Sequence, residues 1–245
     1  MNHLPNGTKA LLFAAGLGTR LKPFTDHHPK ALALVNGKPL LQRNIEYLKR
    51  FGINDFVINV HHFADQIISF VEKQQFFRSN IHFSHEVLEP LETGGGLVYA
   101  KDFLKGSYPF VVMNADILTT LDISKFYQAH VEHHALATLA ITHRESSRGF
   151  LYNENSRLTG WRNMQTGEIK LSIKNDHPKS GSFSGVHIID PKIFDLVNRT
   201  GKFSIIDLYL ELAAAHPIYI YDHSGDVVVD VGKPESIEKA EQIFK

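Results

Sequence analysis

Two glycines and two cations stand close together near the start of the chain. Gly16 and Gly18 follow an apolar run at residues 10–15, and Arg20 and Lys30 come after them. Glycine lets the backbone turn sharply and approach a ligand without a Cβ in the way. The amide N–H groups of such a turn can hold phosphate oxygens, and two nearby cations suit the charge of a triphosphate. The spacing therefore predicts a phosphate-binding loop after the first strand.

This Gly-x-Gly pattern is not specific, because ordinary turns between a strand and a helix share it. The loop lacks the Gly-Lys-Ser/Thr ending of a Walker A motif. Arg20 and Leu21 also stand where the dinucleotide-binding pattern continues toward a third glycine. The loop alone thus leaves phosphate binding and a plain turn open.

Two aspartates are further candidates for chemistry. Asp116 follows an apolar strand predicted at residues 108–113, and Asp230 lies within the segment 226–234. Ligands of open α/β sheets are bound beyond the carboxyl ends of the strands. From the residues alone, Asp116 could instead cap a helix or a turn, and Asp230 could be a strand residue before a turn.

The elements that would position these residues alternate between buried strands and amphipathic helices. Apolar positions at helical spacing predict a helix over residues 40–51, followed by a strand over 55–62. A second helix over residues 64–75 and a strand over 81–86 continue the order. This alternation is typical of a doubly wound parallel sheet.

The later elements are less regular. Asp122 or Ser124 is expected to cap a helix that runs to about residue 134, before a strand over 135–143. Residues 148–161 are expected to form a hairpin around a turn at 153–156. We further predict an alternating segment at 169–174, an apolar run at 186–189, a strand at 218–221, and helices over 190–197, 205–215 and 235–244.

Three consecutive glycines at residues 94–96 are unfavourable in a helix. We therefore expect them in a loop that precedes a helix over residues 97–103. Such a run would let a flat ring lie against the backbone, although a flexible turn would have the same composition.

Composition excludes several classes of function. The 245 residues carry 26 Lys+Arg and 26 Asp+Glu, a net charge of +0 that gives no footprint for nucleic acid or an anionic membrane. Cysteine is absent, which excludes disulfides, thiolate catalysis and zinc held by cysteine. The 15 histidines show no metal-binding spacing. Without an apolar leader or a bilayer-length apolar run, a cytoplasmic protein is expected.

The segment AAGLGTRLKPFT, followed by PKAL, resembles the N-terminal signature of the sugar-1-phosphate nucleotidyltransferases. The strand ending Asn114-Ala115-Asp116 and the closing segment DVVVDVGKP also resemble motifs of that family. The resemblance covers essentially the whole chain. It implies a single α/β domain over 1–245 with a doubly wound, mostly parallel mixed sheet, Rossmann-like and GT-A-like. Residues 1–143 would bind the nucleotide, and 144–245 would form a smaller β-rich, sugar-binding lobe and a C-terminal helix.

The resemblance also implies an activity, a cofactor and a set of site residues. A nucleoside triphosphate and a sugar 1-phosphate would give a nucleotide-sugar and pyrophosphate, with Mg²⁺ held by Asp116 and Asp230. Arg20 and Lys30 would be catalytic. The nucleotide would contact Ala14, Ala15, Gly16, Gly18, Thr19, Arg20, Glu89, Thr93, Gly94 and Asn114. The sugar would contact Gly149, Arg162, Ser184 and Gly185.

The segment E-P-L-E-T-G-G-G resembles the branch that transfers uridylyl groups to N-acetylmuramic acid 1-phosphate, an activity of cell-wall peptidoglycan recycling. Guanylyl-transferring relatives more often have G-T-A-G at this point, so a mannose- or heptose-1-phosphate guanylyltransferase is the alternative. The Glu-Lys-Pro motif of many relatives is replaced by Gly160-Trp161-Arg162-Asn163, which leaves the ligand of the sugar phosphate open. A non-catalytic nucleotide-sugar sensor is a third possibility, and a monomer or small homo-oligomer is expected.

Overall fold

Helices pack on a central mixed sheet in the computed structural model, which describes residues 3–245. The strands are β1 (Lys9–Phe13), β2 (Leu34–Val35), β3 (Lys38–Pro39), β4 (Asp55–Val60), β5 (Asn80–His85), β6 (Phe110–Asn114), β7 (Ile117–Thr119), β8 (Ala137–Thr142), β9 (Arg148–Tyr152), β10 (Leu158–Asn163), β11 (Ile169–Leu171), β12 (Lys179–Ile189), β13 (Ile218–Asp222) and β14 (Val228–Asp230). The helices are α1 (Leu40–Lys49), α2 (Ala64–Lys73), α3 (Glu92–Tyr99), α4 (Lys101–Leu104), α5 (Ile123–Glu132), α6 (Ile193–Leu196), α7 (Ile205–Ala213) and α8 (Pro234–Ile243).

Within this part of the chain, the main sheet has ten strands, in the order β11-β10-β9-β12-β6-β1-β4-β5, with β8 paired to β12 and to β13. Strands β1, β4, β5 and β6 run parallel. Strand β12 runs antiparallel to β6, β8 and β9, so it joins the parallel first half to the hairpins of the second half. The predicted α/β fold with a mixed sheet is confirmed, but the sheet is partly rather than mostly parallel, because the hairpins of the second half add antiparallel pairs.

Both faces of the sheet are covered, which explains why the central strands are apolar without alternation. Neighbouring residues on a strand point to opposite faces. Accordingly, Leu12 packs in the cluster under α1, α2 and α5, whereas Leu11 packs in the cluster under α3, α4 and α7. A third cluster lies between α8 and the β2–β3 pair. None of the helices within residues 3–245 has the length and apolar character needed to cross a bilayer.

The parallel strands end together at one edge. In the register of the sheet, Phe13 at the end of β1 lies opposite both Asn59 and Asn114, and Asn59 lies opposite Ser84. The loops that follow these strands therefore meet at the same edge. This is the edge where the sequence predicts phosphate and metal binding.

A small ladder that the sequence analysis did not predict brings the two candidate metal ligands together. Strand β7 pairs antiparallel with β14, and Asp230 lies opposite Ile117. The Val231 amide donates a hydrogen bond of 2.9 Å to the Asp116 carbonyl. The segment after β6 is held in turn by buried Asn44, whose side-chain amide donates to the Ala115 carbonyl. Two aspartates far apart in sequence thus become neighbours.

The expectation that the glycine run lies in a loop before a helix is wrong, because Gly94, Gly95 and Gly96 lie inside α3. Tertiary packing overrides their low helix propensity. A Cβ on Gly94 would lie 2.4 Å from the Phe203 ring, and a Cβ on Gly95 would lie 2.2 Å from the Gly201 carbonyl oxygen. The glycines allow this helix to approach the segment before α7 closely.

Replacement of Gly95 by alanine should therefore destabilise the protein. Alanine favours a helix by about 1 kcal/mol over glycine, but the new methyl group would meet a backbone oxygen that has little room to move. We expect the free energy of unfolding to fall by about 1–3 kcal/mol, measured by urea denaturation. Gly225→Ala is the matched control, since nothing lies within 4 Å of an added Cβ there. Equal stability of the two variants would contradict this packing argument.

Several element boundaries agree with the sequence predictions. The Asp122 side chain accepts hydrogen bonds from the amides of Ser124 and Lys125 and is the N-cap of α5. Ser204 caps α7 in the same way through the Ile206 amide. In contrast, the helix expected over residues 190–197 is reduced to α6, and β12 already begins at Lys179.

Two buried histidines should make stability depend on pH. Burial lowers the pKa of His130 from 6.5 to about 4 and that of His187 from 6.5 to about 3. The unfolded chain therefore binds more protons than the folded one below pH 6.5, and stability should be lost progressively as the pH falls from about 6.5 toward 3. Urea denaturation at pH 7.5, 6 and 5 measures this slope. His130→Gln should reduce it, whereas the exposed His27→Gln should leave it unchanged, and equal slopes in the two variants would rule the explanation out.

Candidate active site

The loop after β1 presents a row of free amide groups. Within residues 3–245, the amides of residues 16–20 have no hydrogen-bond acceptor. Gly18 has a φ of +63°, and a Cβ there would lie 2.9 Å from the Lys30 Cβ and 2.9 Å from the Thr25 methyl carbon. The Thr25 hydroxyl donates a 2.9 Å hydrogen bond to the Gly18 carbonyl. The loop is thus pinned against the segment that carries Lys30, while its amides stay available for phosphate oxygens.

Four charged side chains converge beside this loop. The Lys30 ammonium forms an ion pair with Asp116 and lies 3.8 Å from Asp230 Oδ1. A Cβ on Gly232 would lie 2.8 Å from Asp230 Oδ1 and 3.0 Å from Arg20 Nη2, so the Asp230 carboxylate and the Arg20 guanidinium border the same glycine. Lys30 is largely buried, with 11% of its side chain exposed, whereas Asp116 and Asp230 keep 26% and 43%. Both carboxylates are therefore accessible to a ligand.

The carboxylates of Asp116 and Asp230 fit a magnesium ion. They approach one common cation, Lys30, and carboxylate oxygen is the ligand type that Mg²⁺ prefers. Proteins commonly hold Mg²⁺ through one or two carboxylates, with the remaining positions filled by water and substrate phosphates. No group of three or more metal-binding side chains is found within residues 3–245. A two-carboxylate site completed by phosphate oxygens is what these residues can form.

An open cavity of about 510 Å³, here called the loop cavity, lies over this edge of the sheet. Its size is in the range of small-molecule sites. Most residues that the sequence predicted for phosphate, nucleotide or metal line this one cavity. They are Ala15, Gly16, Gly18, Thr19, Arg20, Lys30, Thr93, Asn114 and Asp116.

Other predicted nucleotide contacts lie outside the lining. Ala14 is buried, and its amide donates to the Asn59 carbonyl. The Gly94 amide donates to the Phe203 carbonyl, so this group is already used within the fold. Glu89 is exposed on the loop after β5 and does not line the loop cavity.

Four polar residues that were not expected from the sequence also line the loop cavity: Asn59, Glu86, Glu92 and Lys202. Glu86 is almost fully buried, and its carboxylate accepts hydrogen bonds from the Asn59 side-chain amide (2.7 Å) and the Leu91 amide (2.8 Å). Glu86 follows β5 as Asp116 follows β6. The expectation that ligands bind beyond the carboxyl ends of the strands therefore applies to Glu86 as well. Lys202 carries no comparable sequence signal.

The predicted sugar-binding residues lie in two places. Gly149 and Arg162 are cross-strand partners on β9 and β10, and they line a second cavity of about 300 Å³, here called the arginine cavity. Gly185, with φ of +72°, lies beside Asn114, since a Cβ there would be 3.0 Å from the Asn114 side-chain nitrogen. The Ser184 hydroxyl is fully buried and 2.8 Å from His223 Nε2. The sugar-binding roles of these residues stay predictions.

The fold and site define an α/β protein in which a glycine loop, two cations and two carboxylates converge at one edge of the sheet. The chain belongs to a known family: residues 9–244 match the family described as nucleotidyl transferase. It is 29% identical over 233 residues to a mannose-1-phosphate guanyltransferase from Yarrowia lipolytica, covering 93% of this chain and 61% of that protein. The chain thus spans about three-fifths of that relative's length.

A second relative is described as a uridylyltransferase rather than a guanyltransferase. It is the N-acetylmuramate alpha-1-phosphate uridylyltransferase of Neisseria meningitidis, 31% identical over 193 residues, with 76% of this chain and 77% of that protein covered. Among solved structures, HddC from Yersinia pseudotuberculosis, complexed with GMP-PN, is similar at a TM-score of 0.76 and 26% identity. That match covers 97% of this chain and 100% of the HddC chain.

Proposed function

We propose that this protein transfers a nucleotidyl group from a nucleoside triphosphate to a sugar 1-phosphate and releases pyrophosphate. The observation that carries the proposal is the convergence of Arg20, Lys30, Asp116 and Asp230 beside the free amides of the glycine loop. Membership of the nucleotidyl transferase family supports it. The same constellation argues against a sensor without catalysis, because such a module has no need of both cations and both carboxylates.

In the proposed reaction, an oxygen of the sugar phosphate forms a bond to the α-phosphorus while the bond between the α- and β-phosphates breaks. The attacking oxygen is already an anion, so the chain need not provide a general base. What it must provide is positioning and neutralisation of charge on two polyanions. The amides of residues 16–20 and the Arg20 guanidinium would hold the departing pyrophosphate, and Lys30 would reach the α-phosphate or the incoming one. Mg²⁺, when held by Asp116 and Asp230, would neutralise further phosphate charge.

The polar wall of the loop cavity favours a base that has a ring N–H donor. The Glu86 carboxylate can only accept hydrogen bonds, and its two existing partners leave lone pairs free. Guanine N1–H and uracil N3–H are ring donors to a carboxylate, whereas adenine and cytosine offer only an exocyclic amino group and place an unprotonated ring nitrogen beside it. GTP and UTP are therefore the proposed donors, with ATP and CTP discriminated against.

GTP is the first candidate, because the guanylyltransferase alternative has more support among the relatives than the uridylyl interpretation. UTP with N-acetylmuramic acid 1-phosphate is the second candidate. It is favoured by the segment E-P-L-E-T-G-G-G and by the Neisseria relative, which is 31% identical to this chain. Mannose and heptose 1-phosphates are the matching acceptors for GTP.

The test is pyrophosphate release with Mg²⁺ across a matrix of four nucleoside triphosphates and several sugar 1-phosphates. Release confined to GTP or UTP would support both the chemistry and the role of the Glu86 wall. If ATP or CTP supports release as fast as GTP or UTP, the role of Glu86 in selecting the base is refuted, whereas the proposed transfer chemistry stands. No release with any pair would overturn the proposed activity in favour of a binding module.

A further inference from the structure

The arginine cavity contains more positive charge than the fold balances. It is bordered by the hairpin of β9 and β10, the first residues of β12, and the segment that follows β8. Arg144, Arg148 and Arg162 line it, and Glu145 is its one acidic lining residue within the described chain. Three guanidinium groups around one space repel each other unless an anion lies among them.

None of these arginines forms an ion pair with Asp or Glu within 4.0 Å anywhere in residues 3–245. The guanidinium of Arg144 donates one hydrogen bond of 2.8 Å, from Nη2 to the Phe183 carbonyl, and its Nη1 is buried with no acceptor. Arg162 Nε is likewise buried without a partner. Buried donors of this kind are normally hydrogen-bonded, and guanidinium groups are strong donors to carboxylates and phosphates.

Strand β12 connects the arginine cavity with the loop cavity, since Ser182 lines the first and Gly185 lies beside Asn114 of the second. Burial lowers the pKa of Arg144, and the negative charge of nearby Asp230 opposes this shift. Arg144 also donates to the Phe183 carbonyl of β12, and two residues further along this strand Gly185 lies beside Asn114, which lines the loop cavity. Gly149 and Arg162, which the sequence predicts as sugar contacts, are on the wall of the same cavity. A sugar whose 1-phosphate lies at the loop cavity can therefore extend one end toward the three arginines.

We propose that the arginine cavity binds a second anionic group of the acceptor, so that the acceptor is a sugar 1-phosphate carrying a carboxylate or a second phosphate. This inference rests on the proposed function, and of the acceptors named there it favours the acidic N-acetylmuramic acid 1-phosphate over the neutral mannose and heptose 1-phosphates. The guanidinium fork matches both anions bidentately, and a neutral sugar would leave the three charges without a partner. The acidic group, rather than the ring stereochemistry, would then be the main determinant of acceptor choice.

The experiment compares acidic acceptors with neutral acceptors that have the same ring stereochemistry. N-acetylmuramic acid 1-phosphate is compared with N-acetylglucosamine 1-phosphate, and glucuronic acid 1-phosphate with glucose 1-phosphate. Glucose 1,6-bisphosphate supplies the second phosphate. With the best nucleoside triphosphate, kcat/KM should be at least about tenfold higher for the acidic member of one pair. The pair that shows the preference distinguishes carboxylate from phosphate.

Variants then test whether the arginines of the arginine cavity cause the preference for acidic acceptors. Arg162→Gln and Arg148→Gln should each reduce the ratio of kcat/KM between acidic and neutral acceptors by about tenfold or more, mainly through KM. Arg162→Lys should restore part of the ratio because it restores the charge. Arg148 is exposed, so its variant should fold even if a change at the more buried Arg162 impairs folding. Arg78→Gln, an exposed arginine outside both cavities, is the control and should leave the ratio unchanged.

Equal use of acidic and neutral acceptors would overturn this inference and leave the transferase proposal standing. An acidic preference that survives both glutamine variants would overturn it as well. If no acceptor is used at all, the proposed function fails instead, and thermal unfolding with the same sugar phosphates then decides the inference. Stabilisation by the acidic compounds alone, lost in Arg162→Gln, would support it, and equal or absent stabilisation would overturn it.

Discussion

Replacing Arg20 with alanine is expected to lower kcat by about 10² or more while the fold stays intact. Arg20 is exposed in the 3-10 turn Thr19–Leu21, so little packing is lost with its side chain. Its guanidinium lies at the edge of the loop cavity beside Gly232 and Asp230. Charge grows on the leaving pyrophosphate during the reaction, so a cation there stabilises the transition state more than the bound substrate. The loss should therefore appear in kcat and in kcat/KM together.

Lys22→Ala is the matched control for Arg20. Lys22 is two residues away, is paired with Asp26 at 2.8 Å, keeps 60% of its side chain exposed and does not line the loop cavity. Steady-state pyrophosphate release and thermal unfolding should be measured for both variants. Arg20→Lys should recover only part of the rate, because an ammonium cannot donate two parallel hydrogen bonds to a phosphate. Normal turnover in Arg20→Ala would refute the assigned role.

The contiguous parts of the site could be predicted from sequence because local geometry determines them. Gly18 requires a positive φ and a close approach to Lys30, and such a position is visible as a glycine in the chain. Asp116 follows a buried strand, and strand ends are marked by apolar runs. In the same way, the order of strands and helices in the first half predicted the parallel sheet. These are relations between residues close together in sequence.

The parts that could not be predicted depend on pairing between distant segments. Strand β7 has only three residues, too few for a periodic pattern, and its partner β14 lies near the other end of the chain. The glycines of α3 were misassigned because their cost in a helix is local, whereas the close approach of Gly201 and Phe203 that favours them is not. The arginines of the arginine cavity, which lack ion-pair partners, likewise come together only when β9, β10 and β12 pair in the sheet.

The second large effect is expected at the aspartate pair. Asp230→Asn should raise the Mg²⁺ concentration needed for half-maximal activity by about 10- to 100-fold, as for other lost metal-site interactions. Asp116→Asn should be at least as severe, since Asp116 is the closer of the two ion-pair partners of Lys30. The amide keeps the size and one oxygen of the carboxylate but removes the negative charge. The variants therefore test charge rather than packing.

The measurement is a Mg²⁺ titration of pyrophosphate release, with Asp176→Asn as the control because Asp176 keeps 75% of its side chain exposed and lies outside the loop cavity. An unchanged titration in Asp230→Asn would show that the β7–β14 ladder does not build the metal site. The ladder places Asp230 opposite Ile117.

A further variant tests the position of the charged groups rather than their charge. Gly232→Ala keeps both carboxylates but places a methyl group 2.8 Å from Asp230 Oδ1 and 3.0 Å from Arg20 Nη2. If the arrangement of these groups matters, this variant should lose turnover although every charged residue is retained.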